Sequence, residues 1–211
     1  MRGVWVSLAA MGLVAAHALW WRHAARRRRL PCPAWLGWLL ENPYTNALAG
    51  SVTQLDRADV GPGMRILDAG CGTGRVTIPA AERVGPAGEV VALDVQEGML
   101  ERVRQRATDR GLGNVRPVLG AVESDVVEEE SFDRAILATV LGEIPDREAA
   151  MRALCGALKP EGILSVTEVF PDPHYQGRRT VRRLAEEAGL GFERMYGTRL
   201  AFTMNFRKPA A

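Results

Sequence analysis

A glycine-rich stretch over residues 67–75 combines the backbone freedom and the charge needed to hold a small ligand. It reads Leu-Asp-Ala-Gly-Cys-Gly-Thr-Gly-Arg, with glycines at Gly70, Gly72 and Gly74. Glycine lets the backbone turn tightly and approach a ligand with no Cβ in the way. Asp68 precedes the first glycine by two residues, where a carboxylate would repel a pyrophosphate but suits a cationic ligand with an amino group. The spacing also departs from the dinucleotide pattern, whose third glycine lies further on.

A second acid follows at a distance that fits the same ligand. Asp94 ends the apolar run that starts at Glu89, twenty residues beyond Gly74. A carboxylate at the end of the second strand of a nucleotide-binding sheet accepts hydrogen bonds from ribose hydroxyls. The two acids and the glycines together predict a ligand that contains a ribose.

A parallel sheet is needed to bring these residues together. Runs rich in valine, leucine and isoleucine predict strands at 64–70, 89–95, 115–120, 132–140 and 162–170. Between and after them, helices are predicted near 75–84, 97–110, 146–158 and 177–188. Repeated βα units predict an α/β fold, a Rossmann-like, doubly wound and mostly parallel sheet with helices on both faces.

The end of the chain departs from this alternation. Two strand-like runs, 191–196 and 198–206, are separated only by Gly197. So short a connection requires an antiparallel pair, because parallel strands need a long crossover. The sheet is therefore predicted to close with an antiparallel hairpin.

The chain resembles the class I S-adenosylmethionine-dependent methyltransferases in four stretches, which occur in order as LDAGCGTGR, VVALDVQEGML, FDRAILATVLGEIPD and LKPEGILSVTEV. The resemblance covers roughly residues 43–208, and it is strongest to the branch that contains the ubiquinone and menaquinone biosynthesis methyltransferases. It implies S-adenosyl-L-methionine as the cofactor and methyl transfer as the activity.

The resemblance also implies the cofactor contacts. The loop from Gly70 to Gly74, which includes Cys71 and Thr73, would hold the methionine part of the cofactor. Asp94 would hold the ribose hydroxyls. Val95 and Met99 would line the adenine.

The adenine contacts differ from those of near relatives. These often carry an aspartate after the third strand, which bonds the adenine amino group, whereas this chain has Ala121 at that place. We expect the backbone groups of Ala121 and Val122, or the side chain of Glu123, to replace it. Cys71 is expected to line the glycine loop without reacting.

Residues for the methyl-transfer step are expected where strands four and five end, because sites in this fold lie at that edge. Glu143 would act as a base or hold an acceptor amine, or else it is an acid near a helix N-terminus. Glu168 would face the same cleft, or else it is buried and structural. Tyr44 would cover the methyl group as a lid, or else it packs in the core. No metal is expected, because the three histidines are scattered and no cluster of ligands appears.

The first part of the chain has the pattern of a membrane anchor. Residues 3–21 carry no formal charge, and as a helix they would span about 28 Å, close to the hydrocarbon thickness of a bilayer. The basic run 22–29 follows, which predicts a single pass with the C-terminal side in the cytoplasm. A cleaved signal peptide and a soluble helix are the alternatives. We divide the chain into an anchor with its basic flank (1–29), interfacial or lid helices (30–63) and the methyltransferase domain (64–211).

The charge of residues 30–211 and the predicted membrane anchor limit the classes of partner that we expect. Residues 30–211 contain 21 basic and 25 acidic residues, so a nucleic-acid partner is not expected. The predicted acceptor is lipophilic and membrane-associated, such as a quinone precursor, an isoprenoid or a phospholipid headgroup. The alternatives are a small polar acceptor, or a membrane-tethered protein that binds the cofactor without turnover. The acceptor atom and the oligomeric state stay open.

Overall fold

The computed structural model describes residues 50–124, 126–170 and 172–210. The anchor predicted for residues 1–29, Tyr44 and most of the predicted 30–63 segment lie outside these ranges. Within them, no helix combines the length and the apolar character needed to span a membrane. The predicted domain boundaries stay predictions.

Seven strands form one mixed sheet, as the sequence predicts. They are β1 (Arg65–Ala69), β2 (Glu89–Asp94), β3 (Val115–Leu119), β4 (Phe132–Ala138), β5 (Leu158–Val169), β6 (Gly191–Gly197) and β7 (Ala201–Arg207). Their order in the sheet is β3-β2-β1-β4-β5-β7-β6. Strands β1 to β5 are parallel, whereas β7 runs antiparallel to both β5 and β6.

Among the residues described, five helices accompany the sheet: α1 (Ser51–Arg57), α2 (Thr77–Val84), α3 (Glu97–Asp109), α4 (Arg147–Ala157) and α5 (Arg178–Glu187). Successive residues of a strand point to opposite faces, so Ile66 and Leu67 of β1 belong to different apolar clusters. Ile66 packs with Leu55 of α1, and Leu67 lies in the cluster that contains Leu154 of α4. The central part of the sheet is therefore covered on both faces, which explains why β1 and β2 are buried at every residue but the first.

The strand order reverses direction at β1. From β1 the chain moves outward through β2 and β3, and it then returns to place β4 on the other side of β1. A crevice opens at the carboxyl ends of the strands at such a reversal, and ligands bind there in doubly wound folds. The glycine stretch follows β1 at that edge, Asp94 ends β2, and Glu143 follows β4.

The antiparallel pair at the end of the chain is confirmed, and its placement adds what the sequence did not predict. β7 lies between β5 and β6, although β6 precedes it in the chain. Ala201 pairs with Val169, so the β6–β7 turn lies at the same edge of the sheet as the carboxyl end of β5.

Candidate functional site

A cavity of about 320 Å³ opens at the carboxyl ends of β1, β2 and β4. Its size lies at the lower end of the range for small-molecule sites. Ten of the eleven predicted cofactor residues line it: Asp68, Gly70, Cys71, Gly72, Thr73, Asp94, Val95, Met99, Ala121 and Val122. Gly74, the eleventh, does not. Its φ is +85°, and its N–H donates to the Cys71 carbonyl, so it stabilises the turn of the glycine loop without lining the cavity.

The first glycine is required by both conformation and space. Gly70 has a φ of +72°, and a Cβ at this position would lie 2.6 Å from both Cγ atoms of Val140. Its N–H donates to the carbonyl of Leu93 in β2, as does that of Cys71. The turn after β1 is therefore fastened to β2 and packed against the segment after β4. Any side chain at residue 70 would push these elements apart.

Asp94 lines the cavity beside the glycine loop and is held there by hydrogen bonds. Its carboxylate is 7% exposed, Oδ2 accepts a hydrogen bond from the Gly72 N–H at 2.9 Å, and Oδ1 accepts one from the Gln96 N–H at 2.9 Å. Burial raises the pKa of Asp94, while the N–H groups of Gln96 and Gly72 act in the opposite direction. The side chain is thus fixed in a position where its remaining lone pairs can accept ligand hydroxyls.

Asp68 forms the floor on the β1 side. It is 2% exposed, and burial raises its pKa to about 6, although the Thr77 hydroxyl donates to its Oδ2 at 2.6 Å and lowers the pKa. Burial also raises the pKa of the neighbouring Cys71 thiol, and the charges of Asp68 and Asp94 raise it further. Cys71 is consequently a protonated, unreactive wall at neutral pH, in keeping with the role expected from the sequence.

The cavity favours positive charge. The acids that line it are Asp68, Asp94, Glu123 and Glu143, and the single basic side chain among its lining residues is Arg75. A partly enclosed site with this excess of carboxylates attracts a cation more strongly than bulk solvent does.

The segment after β4 forms the opposite wall, and sequence reasoning identified only one of its residues. Glu143 lines the cavity, and so do Thr139, Val140, Ile144 and Pro145. Thr139 has a φ of +59°, a conformation that costs a β-branched residue about 1–3 kcal/mol, and of the four non-glycine residues with positive φ among those described it is the one that lines the cavity. The signal available in the sequence was position alone, because these residues follow directly on β4.

Glu168 does not line the cavity. It is 1% exposed, and its Oε2 accepts a hydrogen bond from the Gln176 N–H at 2.9 Å. Burial raises its pKa to about 8. Glu143 and Glu168 are therefore not equivalent, because one borders the cavity and the other lies beneath the loop that follows β5.

Comparisons with known proteins agree with this geometry. The family model described as a methyltransferase domain matches residues 61–189. Nocamycin O-methyltransferase of Saccharothrix syringae is 39% identical over 119 residues, which are 56% of this chain and 42% of that protein. The ubiquinone/menaquinone biosynthesis C-methyltransferase UbiE of Shewanella sp. (strain ANA-3) is 38% identical over 121 residues, 57% of this chain and 48% of that protein. The matched part thus spans about half the length of these curated relatives.

Solved structures share the fold. A SAM-dependent methyltransferase from Aquifex aeolicus superposes with a TM-score of 0.76 at 22% identity, over 84% of this chain and 99% of that one. The [4+2]-cyclase SpnF superposes with a TM-score of 0.69 at 19% identity, over 76% of this chain and 80% of that one. At these identities the likeness establishes the architecture alone.

Proposed function

Because the chain belongs to the class I S-adenosylmethionine-dependent methyltransferase family, we propose that it transfers a methyl group from S-adenosyl-L-methionine to a lipophilic, membrane-associated acceptor. The observation that carries the cofactor part is the position of Asp94. It is buried at the end of β2 and bonded to Gly72 of the glycine loop, inside a cavity rich in carboxylates.

The lining residues fit the cofactor. Asp94 would accept the ribose hydroxyls, and Asp68 would face the positively charged end of the methionine part. Val95 and Met99 would contact the adenine, together with backbone groups of Ala121 and Val122. Gly70 has no Cβ, which would collide with Val140, so the backbone of the glycine loop can lie close to the ligand.

Bound in this way, the cofactor supplies a methyl group made electrophilic by a positively charged sulfur. The protein's task is to align the acceptor and to exclude water. Val140 and Ile144 give the acceptor side of the cavity an apolar wall, and Glu143 is the carboxylate on that wall. Glu143 would take a proton from the acceptor, or hold an acceptor amine.

Two features support a lipophilic acceptor. Phe170 and Leu200 are 41% and 60% exposed, and they are adjacent, because the Phe170 N–H donates to the Leu200 carbonyl. Both lie at the edge of the sheet where the cavity opens. Residues 3–21, which the sequence predicts to be a membrane anchor, would hold the catalytic domain near a bilayer on its cytoplasmic side.

The names of two relatives bear on the class of acceptor. UbiE is named for C-methylation in ubiquinone and menaquinone biosynthesis, and the nocamycin enzyme for O-methylation. The acceptor atom therefore differs between two proteins that match this chain about equally well. A quinone precursor, an isoprenoid or a phospholipid headgroup all remain within the proposed class.

A cofactor-binding protein without turnover is the second candidate. The [4+2]-cyclase SpnF, which is named for another reaction, has the same fold, so the fold alone does not require methyl transfer. A small polar acceptor is the third, with the anchor serving only for location.

The test is incubation of the full chain with S-adenosylmethionine that carries a labelled methyl group, together with membrane lipids from the host. Mass spectrometry then identifies every labelled product. A labelled lipid supports the proposal, whereas a labelled water-soluble product favours the small polar acceptor. Cofactor binding measured by calorimetry without any labelled product favours the protein without turnover.

A further inference from the structure

Glu168 is a buried carboxyl group with half of its hydrogen-bonding capacity unused. It lies one residue before the end of β5, opposite Phe202 of β7, and it is 1% exposed. Oε2 accepts the Gln176 N–H, whereas Oε1 has no hydrogen-bond partner in the part of the chain that the structure describes. A buried polar atom without a partner is costly, so such a group calls for an explanation.

The loop after β5 is folded onto this carboxyl group. We define the loop as residues 172–177. The Gln176 backbone is held by Glu168, and its side-chain Nε2 donates to the His174 carbonyl at 2.7 Å. The His174 N–H donates in turn to Oδ1 of Asp172 at 2.6 Å. Glu168 therefore fastens the loop to the sheet by a buried hydrogen bond, in addition to the Tyr175 ring, which packs edge-on against Phe202 of β7.

The loop contacts the segment that follows β4, which lines the cavity. The His174 carbonyl packs so closely against Gly142 that a Cβ at residue 142 would overlap it. Gly142 is buried, and the next residue, Glu143, lines the cavity. From the other side, the guanidinium of Arg147 donates to the carbonyls of Leu141 and Gly142 at 3.1 and 3.0 Å. The position of Glu143 thus depends on the loop on one side and on Arg147 on the other.

We propose that Glu168 is a positioning residue for the acceptor side of the cavity: through Gln176 and the His174 carbonyl it fixes the Leu141–Glu143 segment that brings Glu143 to the cavity. This inference rests on the proposed function, since it concerns the same site. Glu168 does not line the cavity, so it would contact neither the cofactor nor the acceptor. It acts by holding the loop at one distance from Gly142.

Glu168 is surrounded by charges that make its protonation state matter. The carboxylates of Asp172 and Glu143 raise its pKa, and the guanidinium of Arg147 lowers it, but burial is the largest cause of the shift. Burial is the largest cause of the raised pKa of Tyr175, and the charge of Glu168 raises that pKa further. With a pKa of about 8, the carboxyl is mostly neutral at pH 7 and becomes a buried anion above pH 8. The anion repels Asp172 and Glu143, whereas the Gln176 N–H and the Arg147 guanidinium stabilise it.

The test uses the full chain and compares Glu168→Ala with Glu168→Gln, whose amide oxygen can still accept the Gln176 N–H. The matched control is Asp133→Ala, which removes another carboxylate that accepts a backbone N–H, from Arg65, at the start of β4. Hydrogen exchange resolved by mass spectrometry reports on peptides covering 141–144 and 172–177. Activity is the apparent KM for extracted membrane lipids in detergent, and cofactor affinity is measured by calorimetry.

In Glu168→Ala we expect faster exchange in both peptides and an apparent KM raised about tenfold, with cofactor affinity within about twofold of wild type. Glu168→Gln should restore wild-type exchange and KM at pH 7. Asp133→Ala should change neither peptide.

Unchanged exchange in Glu168→Ala overturns the inference, and so does an equal effect of Asp133→Ala, which would indicate general loosening. If Glu168→Ala does not fold, Gly142→Ala tests the same contact from the other side and should raise the KM with Glu168 intact. A wild-type KM equal to that of Gly142→Ala would then overturn the inference. If wild type transfers no methyl group, the proposed function fails, while the exchange experiment still decides whether Glu168 holds the wall.

Discussion

The carboxylate of Asp94 joins the ends of two neighbouring strands, because its Oδ2 accepts the backbone N–H of Gly72 at 2.9 Å. One side chain therefore has two functions. It holds the glycine loop that follows β1, and it offers its remaining lone pairs to the cavity. Removing this side chain would therefore alter both the shape of the loop and the proposed ribose contact.

The first prediction follows from this double role. Asp94→Ala should lower the affinity for S-adenosylmethionine at least about tenfold, since a hydrogen bond to a charged group contributes roughly 1.5–3 kcal/mol. Calorimetry measures the affinity, and circular dichroism verifies the fold. Glu101→Ala, which removes an exposed acid on α3, is the control. An unchanged affinity in Asp94→Ala would exclude Asp94 from the site.

The second prediction concerns the space at Gly70. Gly70→Ala should destabilise the protein by about 1–3 kcal/mol, because the new Cβ would lie 2.6 Å from Val140 and the φ of +72° disfavours a side chain. Gly63→Ala is the matched control, with a φ of +73° and no atom within 4 Å of the new Cβ. Chemical denaturation should show a smaller loss for Gly63→Ala. Equal losses would mean that contact with Val140 adds nothing.

The third prediction is a pH dependence of cofactor affinity. The pKa of Asp68 is raised to about 6, so this carboxylate is charged at pH 7 and becomes neutral as the pH falls below 6. The affinity for the cationic cofactor should therefore decrease from pH 7 to pH 5, by up to about tenfold per unit below the pKa. Titration calorimetry of wild type and Asp68→Asn tests this, and the variant should show a weaker dependence. Parallel curves for the two proteins would contradict it.

The fourth prediction is a pH dependence of stability. The pKa of Glu168 is raised in the folded protein, so the folded state binds more protons than the unfolded state between about pH 4.5 and pH 8. The free energy of unfolding of wild type should therefore decrease as the pH rises through this window. Glu168→Gln has no carboxyl group at this position, so its free energy of unfolding should not show this decrease. The stability of the variant relative to wild type should grow by about 1–3 kcal/mol between pH 6 and pH 9. Urea unfolding at both pH values measures it, and a constant difference would refute it.

The fifth prediction tests the apolar residues beside the cavity. Leu200→Ser should reduce methyl transfer to acceptor in liposomes more than transfer to the same acceptor in detergent, because the exposed Leu200 would enter the bilayer interface. Met195→Ser is the control, since Met195 is also exposed but lies within β6, away from the edge where the cavity opens. Equal losses in liposomes and in detergent would argue against contact with the membrane.

The sequence predicts well where local pattern decides the structure. The strands, the helices and the grouping of Asp68 and Asp94 with the glycines follow from apolar runs, glycine positions and the common edge of parallel strands. Ten of the predicted cofactor residues line one cavity for that reason.

The sequence predicts poorly where pairing between distant segments decides. Glu143 and Glu168 are both acids near strand ends, and Glu168 is the buried one because β5 lies between β4 and β7 and the following loop packs over it. The contact between Gly142 and His174 joins residues 32 positions apart and leaves no periodic signal. The insertion of β7 between β5 and β6 is likewise a choice of partner, which a hairpin pattern does not specify.

The place of β7 in the sheet has a consequence for synthesis on the ribosome. β6 emerges before β7, yet in the finished sheet it pairs only with β7. Until β7 arrives, the edge of β5 that β7 will cover, Ile163–Val169, is unpaired, and all seven of these residues are buried in the final fold. Such an edge can pair with other chains, so the nascent protein is most exposed to aggregation in the interval between completion of β5 and emergence of β7. Slow translation of residues 170–200 should therefore lower the yield of soluble protein, even though no contact in the native state has changed.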